Sequence, residues 1–176
     1  DWSSDVCSSD LENDTLLAEY TVNYKKTHSQ TLLPMLDEIS NMTELDLSTI
    51  DAIAVAGGPG SFTGLRIGSA TAKGLGLALE KPLISIPTTA AIAYNIWDTN
   101  KFVCPIMDAR RNQVYTGVYC YTDHRLDTVW EQDTMSIEAL AEGLNCLDHE
   151  VIFLGDGVAV YREKLEALLT IPFSFA

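Results

Sequence analysis

Between residues 53 and 68 the chain reads Ile-Ala-Val-Ala-Gly-Gly-Pro-Gly-Ser-Phe-Thr-Gly-Leu-Arg-Ile-Gly, an apolar run that breaks into clustered glycines and resumes with helical spacing. That order predicts a strand, a tight turn and a helix. Ala52 to Val55 are apolar without alternation, which suits a strand covered on both faces in an α/β sheet. Gly57, Gly58 and Gly60 give the backbone freedom for a sharp turn and Pro59 stiffens it. Ser61 or Thr63 offers a hydroxyl to the first amides of a helix running from about Thr63 to Leu79.

Such a loop has two uses. Amides at a helix N-terminus can hold a phosphate or another anion, here with help from Arg66, or the glycines can simply serve the corner's own geometry. Neither phosphate-binding fingerprint fits: no Lys follows Gly64, and Gly58-x-Gly60 lacks a third glycine three residues on. The following helix carries Gly64, Gly68, Ala72 and Gly76 at every fourth position, a flat stripe that permits close approach of another helix or of the sheet.

Elsewhere, Leu16 to Tyr24 alternates as a strand does, and Gln30 to Met42 carries the apolar stripe Leu32, Leu33, Leu36, Ile39 of a helix capped by Thr27 or Ser29. Lys81 to Ile86 predicts a strand and Ala90 to Trp97 a short helix. Phe102 to Met107, Gln113 to Tyr121 and Asp127 to Glu131 are strand-like, with Asp108 to Asn112 as a hairpin connection. Ser136 heads a helix through about Leu144, Val151 to Leu154 is a short strand ending at Gly155-Asp-Gly157, and Val160 to Leu169 is helical. The polar stretch Asp98 to Lys101 marks the boundary between a first lobe, residues 12–100, and a second, residues 101–176. Residues 1–11, with Ser-Ser-Asp twice around Val6-Cys7, show neither period and are expected to be non-native; Ser8 to Leu11 matches one frame of a common sequencing adapter.

Chemistry is sparse. His28, His124 and His149 are far apart, and the four cysteines lack C-x-x-C spacing, so no metal site is expected and the thiols read as reduced and mostly buried. No serine lies in G-x-S-x-G. The most suggestive polar group is Asp108 with Arg110 and Arg111: a carboxylate at a strand end beside two guanidinia that could hold an anion, or a solvated hairpin with a local ion pair. With 25 acids against 11 bases the formal charge is −14, which opposes direct high-affinity binding of a nucleic-acid phosphate backbone. No apolar run reaches membrane length and no secretory leader is evident.

The string Gly-Pro-Gly-Ser-Phe-Thr-Gly-Leu-Arg, with Ala72-Lys-Gly-Leu, Lys81-Pro-Leu-Ile-Ser-Ile and Met107-Asp-Ala-Arg-Arg, resembles the TsaB (YeaZ) family from about Glu19 to Val160. The resemblance implies an α/β, actin-like, sugar-kinase-like (ASKHA, RNase H-like) fold of two lobes. It also implies a cytoplasmic, non-catalytic dimerising subunit that supports threonylcarbamoyl transfer to adenosine 37 of tRNA, with no cofactor of its own. The implied partners are a TsaD-like catalytic paralogue and a TsaE-like ATPase, or a second copy in isolation. The implied interface is the helix pair Gln30 to Met42 and Gly64 to Leu79, hence Leu32, Leu33, Leu36, Ile39, Gly64, Gly68, Ala72 and Gly76. The paralogue's H-x-x-x-H falls on Thr88 and Ile92, and an isoleucine cannot bind metal. The family's opening strand and Asp-Thr-Ser turn are not recognisable here, and Phe173 to Ala176 reads as a strand cut short. The competing reading is a small-molecule kinase or ATPase of the same fold, using the glycine loop and Gly155-Asp-Gly157 for a nucleotide.

Overall fold

The computed structural model describes residues 5–12, 15–23 and 28–176, with side chains over residues 15–21 and 31–176. The chain divides into two compact units, Asp1–Ile86 and Pro87–Ala176.

In the first unit β1 (Asp5–Glu12) pairs antiparallel with β2 (Thr15–Asn23), from Asp5 opposite Asn23 to Glu12 opposite Thr15. A strand therefore stands where the sequence shows no recognisable one. Backbone groups pair in a ladder whether or not the side chains alternate, so the pattern gave no warning. Helix α1 (His28–Thr43) follows, buries Met35 and Ile39, and leaves Leu33 exposed. The expected caps Thr27 and Ser29 fall outside the described side chains. A single 3-10 turn, Leu47–Thr49, is capped by Asp46, whose carboxylate accepts from Ser48 N at 2.9 Å.

Strand β3 (Ile53–Gly58) bonds to β4 (Leu83–Pro87), and α2 (Phe62–Leu79) carries the chain between them. The expected cover on both faces of β3 is not found: Ala54 and Ala56 are exposed, while Val55 on the other side lies under α2. Their small side chains add little to a sheet of two strands, so the apolar run reflects alanine as much as burial.

The second unit is a five-stranded sheet in the order β7-β6-β5-β8-β9. Its strands are β5 (Phe102–Arg110), β6 (Gln113–Thr122), β7 (Arg125–Ser136), β8 (Val151–Leu154) and β9 (Phe173–Phe175). Strands β5, β6 and β7 form an antiparallel meander, and β8 and β9 add parallel to β5. Strand periodicity sorts the core into two faces. Cys104, Ile106, Val114, Val118, Val151 and Phe153 face α4 (Ile137–Leu147) and α5 (Gly157–Leu168), meeting Leu140, Leu144 and Leu165. Val103, Tyr119 and Leu154 face α3 (Thr88–Ala93) and meet Ala93.

The packing of α3 moves the boundary. Ala93 is fully buried against β5 and β6, and Thr89 is held by Tyr119 Oη at 2.7 Å, so α3 belongs to the second unit and the division falls at Ile86/Pro87 rather than at Asp98–Lys101. Polarity at residues 98–101 marks a surface turn, a weaker sign of a boundary than the count of apolar partners on either side.

Candidate partner interface

The glycine loop is accounted for by the unit it belongs to. A Cβ on Gly57 would collide with Ser85 Oγ on β4, and Gly58 holds φ 104°, a value L side chains rarely adopt. Gly60 makes only ordinary contact with Leu65. Ser61 Oγ accepts from Gly64 N at 3.4 Å, and Ser61 O accepts from Leu65 N at 2.8 Å, so the cap is occupied from within. Thr63 is exposed, and the Arg66 guanidinium stacks over the Phe62 ring at 5.3 Å.

Helix α2 has two unlike faces. The small-residue stripe turns inward: Gly68 lies against Val55, Ala72 is 5% exposed, and a Cβ on Gly76 would meet Leu83 at 2.8 Å and the Lys81 carbonyl at 3.1 Å. Gly76 is thus used in seating α2 on β4, Ala72 is buried within the unit, and Gly68 is half-buried, so of the expected stripe Ala72 and Gly76 are not on the free surface of this chain. Ile39 of α1 is likewise internal. Leu32 and Leu36 are half-buried, and Leu33 alone of that stripe is open, 55% exposed.

The opposite face of α2 is exposed at Phe62, Arg66, Ala70, Lys73 and Leu77, spaced as one helical stripe. Phe62 is 74% and Leu77 84% exposed. A shallow hollow of about 420 Å³ lies along it, lined by Phe62, Leu65, Arg66, Ser69, Ala70 and Lys73. Two large apolar groups and two cations on one helix face, in a chain of net charge −14, form a surface that a partner would dehydrate. The signal was present in the sequence as the complement of the glycine stripe, since whichever face the small residues took, these four had the other.

The second-unit motif is rigid. Asp108 Oδ1 accepts from Arg110 N at 2.8 Å and from Tyr161 Oη at 2.9 Å, and Asp108 N donates to Asp156 Oδ1 at 3.3 Å. Burial first, and then the Asp108 carboxylate, push the Tyr161 hydroxyl up to about 12. Asn112 Nδ2 donates to both Glu138 oxygens, and Lys164 donates to Asn112 Oδ1 and pairs with Glu138, whose carboxyl is drawn down to about 2 chiefly by Lys164. Asp108 is thus tied into the packing of β5 against α5 and into its own turn.

Gly155 and Gly157 are explained by close approach. A Cβ at either would meet the Ile106 carbonyl, at 2.5 and 2.9 Å, and Gly155 holds φ 100°. The carboxylate of Asp156 sits beside them, a poor neighbour for a phosphate. Thr88 and Ile92 lie four apart on α3, with Ile92 packed into the apolar cluster. Among the described residues no group of three or more His, Cys, Asp and Glu is placed to hold a metal. Of the described cysteines Cys104 is buried, Cys120 half-buried and Cys146 exposed, so burial of the thiols is less general than the sequence suggests. No described helix is long and apolar enough to cross a membrane.

Residues 15–174 match the family model described as TsaD: tRNA N6-adenosine threonylcarbamoyltransferase. With the two α/β units this places the chain in the actin-like, sugar-kinase-like class that contains such proteins. The Bacillus subtilis (strain 168) protein named tRNA threonylcarbamoyladenosine biosynthesis protein TsaB is 35% identical over 159 residues, 90% of this chain and 69% of that protein. The Escherichia coli (strain K12) protein of the same name is 32% identical over 163 residues, 89% and 69% of the two chains. A solved structure described as YeaZ from Pseudomonas aeruginosa superposes with a TM-score of 0.81 at 26% identity, covering 98% of this chain and 78% of that one. The chain belongs to the TsaB family.

Proposed function

We propose that this chain is a non-catalytic accessory subunit for tRNA threonylcarbamoyladenosine synthesis, docking through the outer face of α2 onto a TsaD-class transferase subunit. The observation that carries this reading is the exposed stripe Phe62, Arg66, Lys73 and Leu77 on a helix whose other face is consumed by its own sheet. In isolation the same stripe would pair two copies of the chain, and a TsaE-like ATPase completes the cytoplasmic assembly. The transferase chemistry and the tRNA contacts reside with the partner, in keeping with a net charge of −14 on this chain. The kinase or ATPase alternative loses its main support, because both glycine loops are accounted for by packing.

The deciding experiment is analytical ultracentrifugation of wild type, Leu77→Glu and Phe62→Asp, alone and with the TsaD-class subunit, beside circular dichroism. Both variants are expected to fold and to lose association, since each places a charge where apolar surface would be dehydrated. Association of both variants at wild-type strength would overturn the reading.

A further inference from the structure

Three consecutive residues at the tip of the β5–β6 hairpin hold left-handed backbone: Arg110 at φ 64°, Arg111 at 53° and Asn112 at 62°. Arg111 and Asn112 are the two loop residues between paired Arg110 and Gln113, positions that usually go to Asn-Gly. A non-glycine side chain in this region costs of order 1 kcal/mol, so three in a row persist only where the surroundings fix them.

The surroundings do fix them. Asp108 holds Arg110 N, Tyr161 Oη donates to Asp108 and to Gln113 O, and Asn112 is clamped by Glu138 and Lys164. That accounts for Asn112. It does not account for the arginines, which are exposed and whose guanidinia make no hydrogen bond or ion pair with any described residue. Two of the acids around the turn are engaged elsewhere: Asp108 by Tyr161, and Glu138 by Lys164 and Asn112. The next hairpin provides a contrast. Asp123 and His124 are also left-handed at φ 50° and 63°, yet His124 is paired internally with Asp98 at 2.7 Å.

The geometry points to the Arg110–Arg111 turn as a second docking element, one that receives clustered carboxylates on the surface of the transferase subunit. This rests on the docking role proposed above. A guanidinium is a planar fork that takes a carboxylate through two parallel hydrogen bonds, and a pre-braced turn loses little freedom on binding. A carboxylate pair fits better than an RNA backbone. Phosphates repeat along a strand and would meet the field of a chain at −14, whereas a protein can place two acids at the turn and neutral or basic groups elsewhere.

The test uses the full chain with the TsaD-class subunit. In Arg110→Gly/Arg111→Gly the backbone keeps its left-handed turn and loses only the guanidinia; Arg110→Lys/Arg111→Lys keeps charge without the fork. Affinity by titration calorimetry at low and at physiological salt, with thermal midpoints, is the readout. The glycine variant should melt no lower than wild type, bind about tenfold more weakly and show less salt dependence, and the lysine variant should recover part of the loss. Equal affinity of wild type and glycine variant overturns the proposal while the docking role stands. Unchanged affinity with lost tRNA retention by the assembled complex assigns the turn to phosphate and overturns it too. No binding of wild type to the transferase subunit overturns both.

Discussion

The Tyr161 hydroxyl on α5 donates to the Asp108 carboxylate at the end of β5, at 2.9 Å, and so joins helix and sheet at the base of the strained hairpin. Tyr161 also reaches Gln113 O at 3.3 Å, on the far side of the same turn. One side chain thus spans both strands.

Tyr161→Phe should therefore lower stability by about 1 kcal/mol, the net worth of a typical hydrogen bond. It should also change the alkaline limb. A tyrosine raised from its usual 10 to about 12 keeps its proton more firmly when folded, so its contribution is complete below pH 10 and fades as pH climbs to about 12. Denaturant melts across that range should show wild type losing its advantage over Tyr161→Phe; a constant gap would contradict the assignment.

Glu138 works in the opposite direction. Its carboxyl, lowered to about 2 by Lys164, then by its own backbone amide and by Asn112, contributes stability that is full above the usual 4.5 and is lost as pH falls toward 2. Glu138→Gln should lower the thermal midpoint most above about pH 5 and flatten the acid limb, so that its gap from wild type closes as pH falls toward 2. An acid limb identical to that of wild type would show the pair to be idle in solution.

Two glycines of α2 should respond to alanine with opposite signs. A Cβ at Gly74 meets nothing within 4 Å, so Gly74→Ala should stabilise by up to about 1 kcal/mol through helix propensity. At Gly76 the same Cβ presses on Leu83 and on the Lys81 carbonyl, and Gly76→Ala should cost about 1–3 kcal/mol. Chemical denaturation of the two variants under one condition settles the sign of each.

Thiol chemistry should separate the cysteines. Cys104 is fully buried, contacts Thr116 Oγ1 at 3.3 Å, and burial pushes its thiol up to about 12, so it should resist a disulfide reagent until the protein unfolds. Exposed Cys146 should react in the native state. Peptide mapping after brief labelling distinguishes them, and early labelling of Cys104 would contradict the packing.

What could be read in advance followed from local chemistry. The strand-loop-helix at Ile53–Leu79, the hairpin of β5 and β6 and the Ser136 cap, which accepts from Ala139 N at 3.1 Å, carry their signals within a few residues. The direction in which α2 faces is not local. Gly68 and Gly76 are small whether they admit a partner or their own sheet, and only the positions of Val55 and Leu83 decide between the two. Likewise β1 lacks an apolar pattern because its order comes from pairing with β2, and the reach of Tyr161 across fifty-three residues to Asp108 leaves no trace in spacing. In the second unit α3 was legible as a helix, but its allegiance depended on Thr89 and Ala93 finding Tyr119 and Val103.

On the docking role proposed above, the division of α2 into a packed face and a free face separates what keeps this protein folded from what it recognises. Changes at Gly68 or Gly76 are answerable to Val55 and Leu83 inside the same unit and Ala72 is buried there, whereas Phe62, Arg66, Lys73 and Leu77 have little to lose within the chain. Recognition can therefore drift, sharpen or be re-engineered along one edge of a single helix while the other edge holds the architecture constant, and a rewritten outer stripe should transplant partner choice without a compensating change in the core.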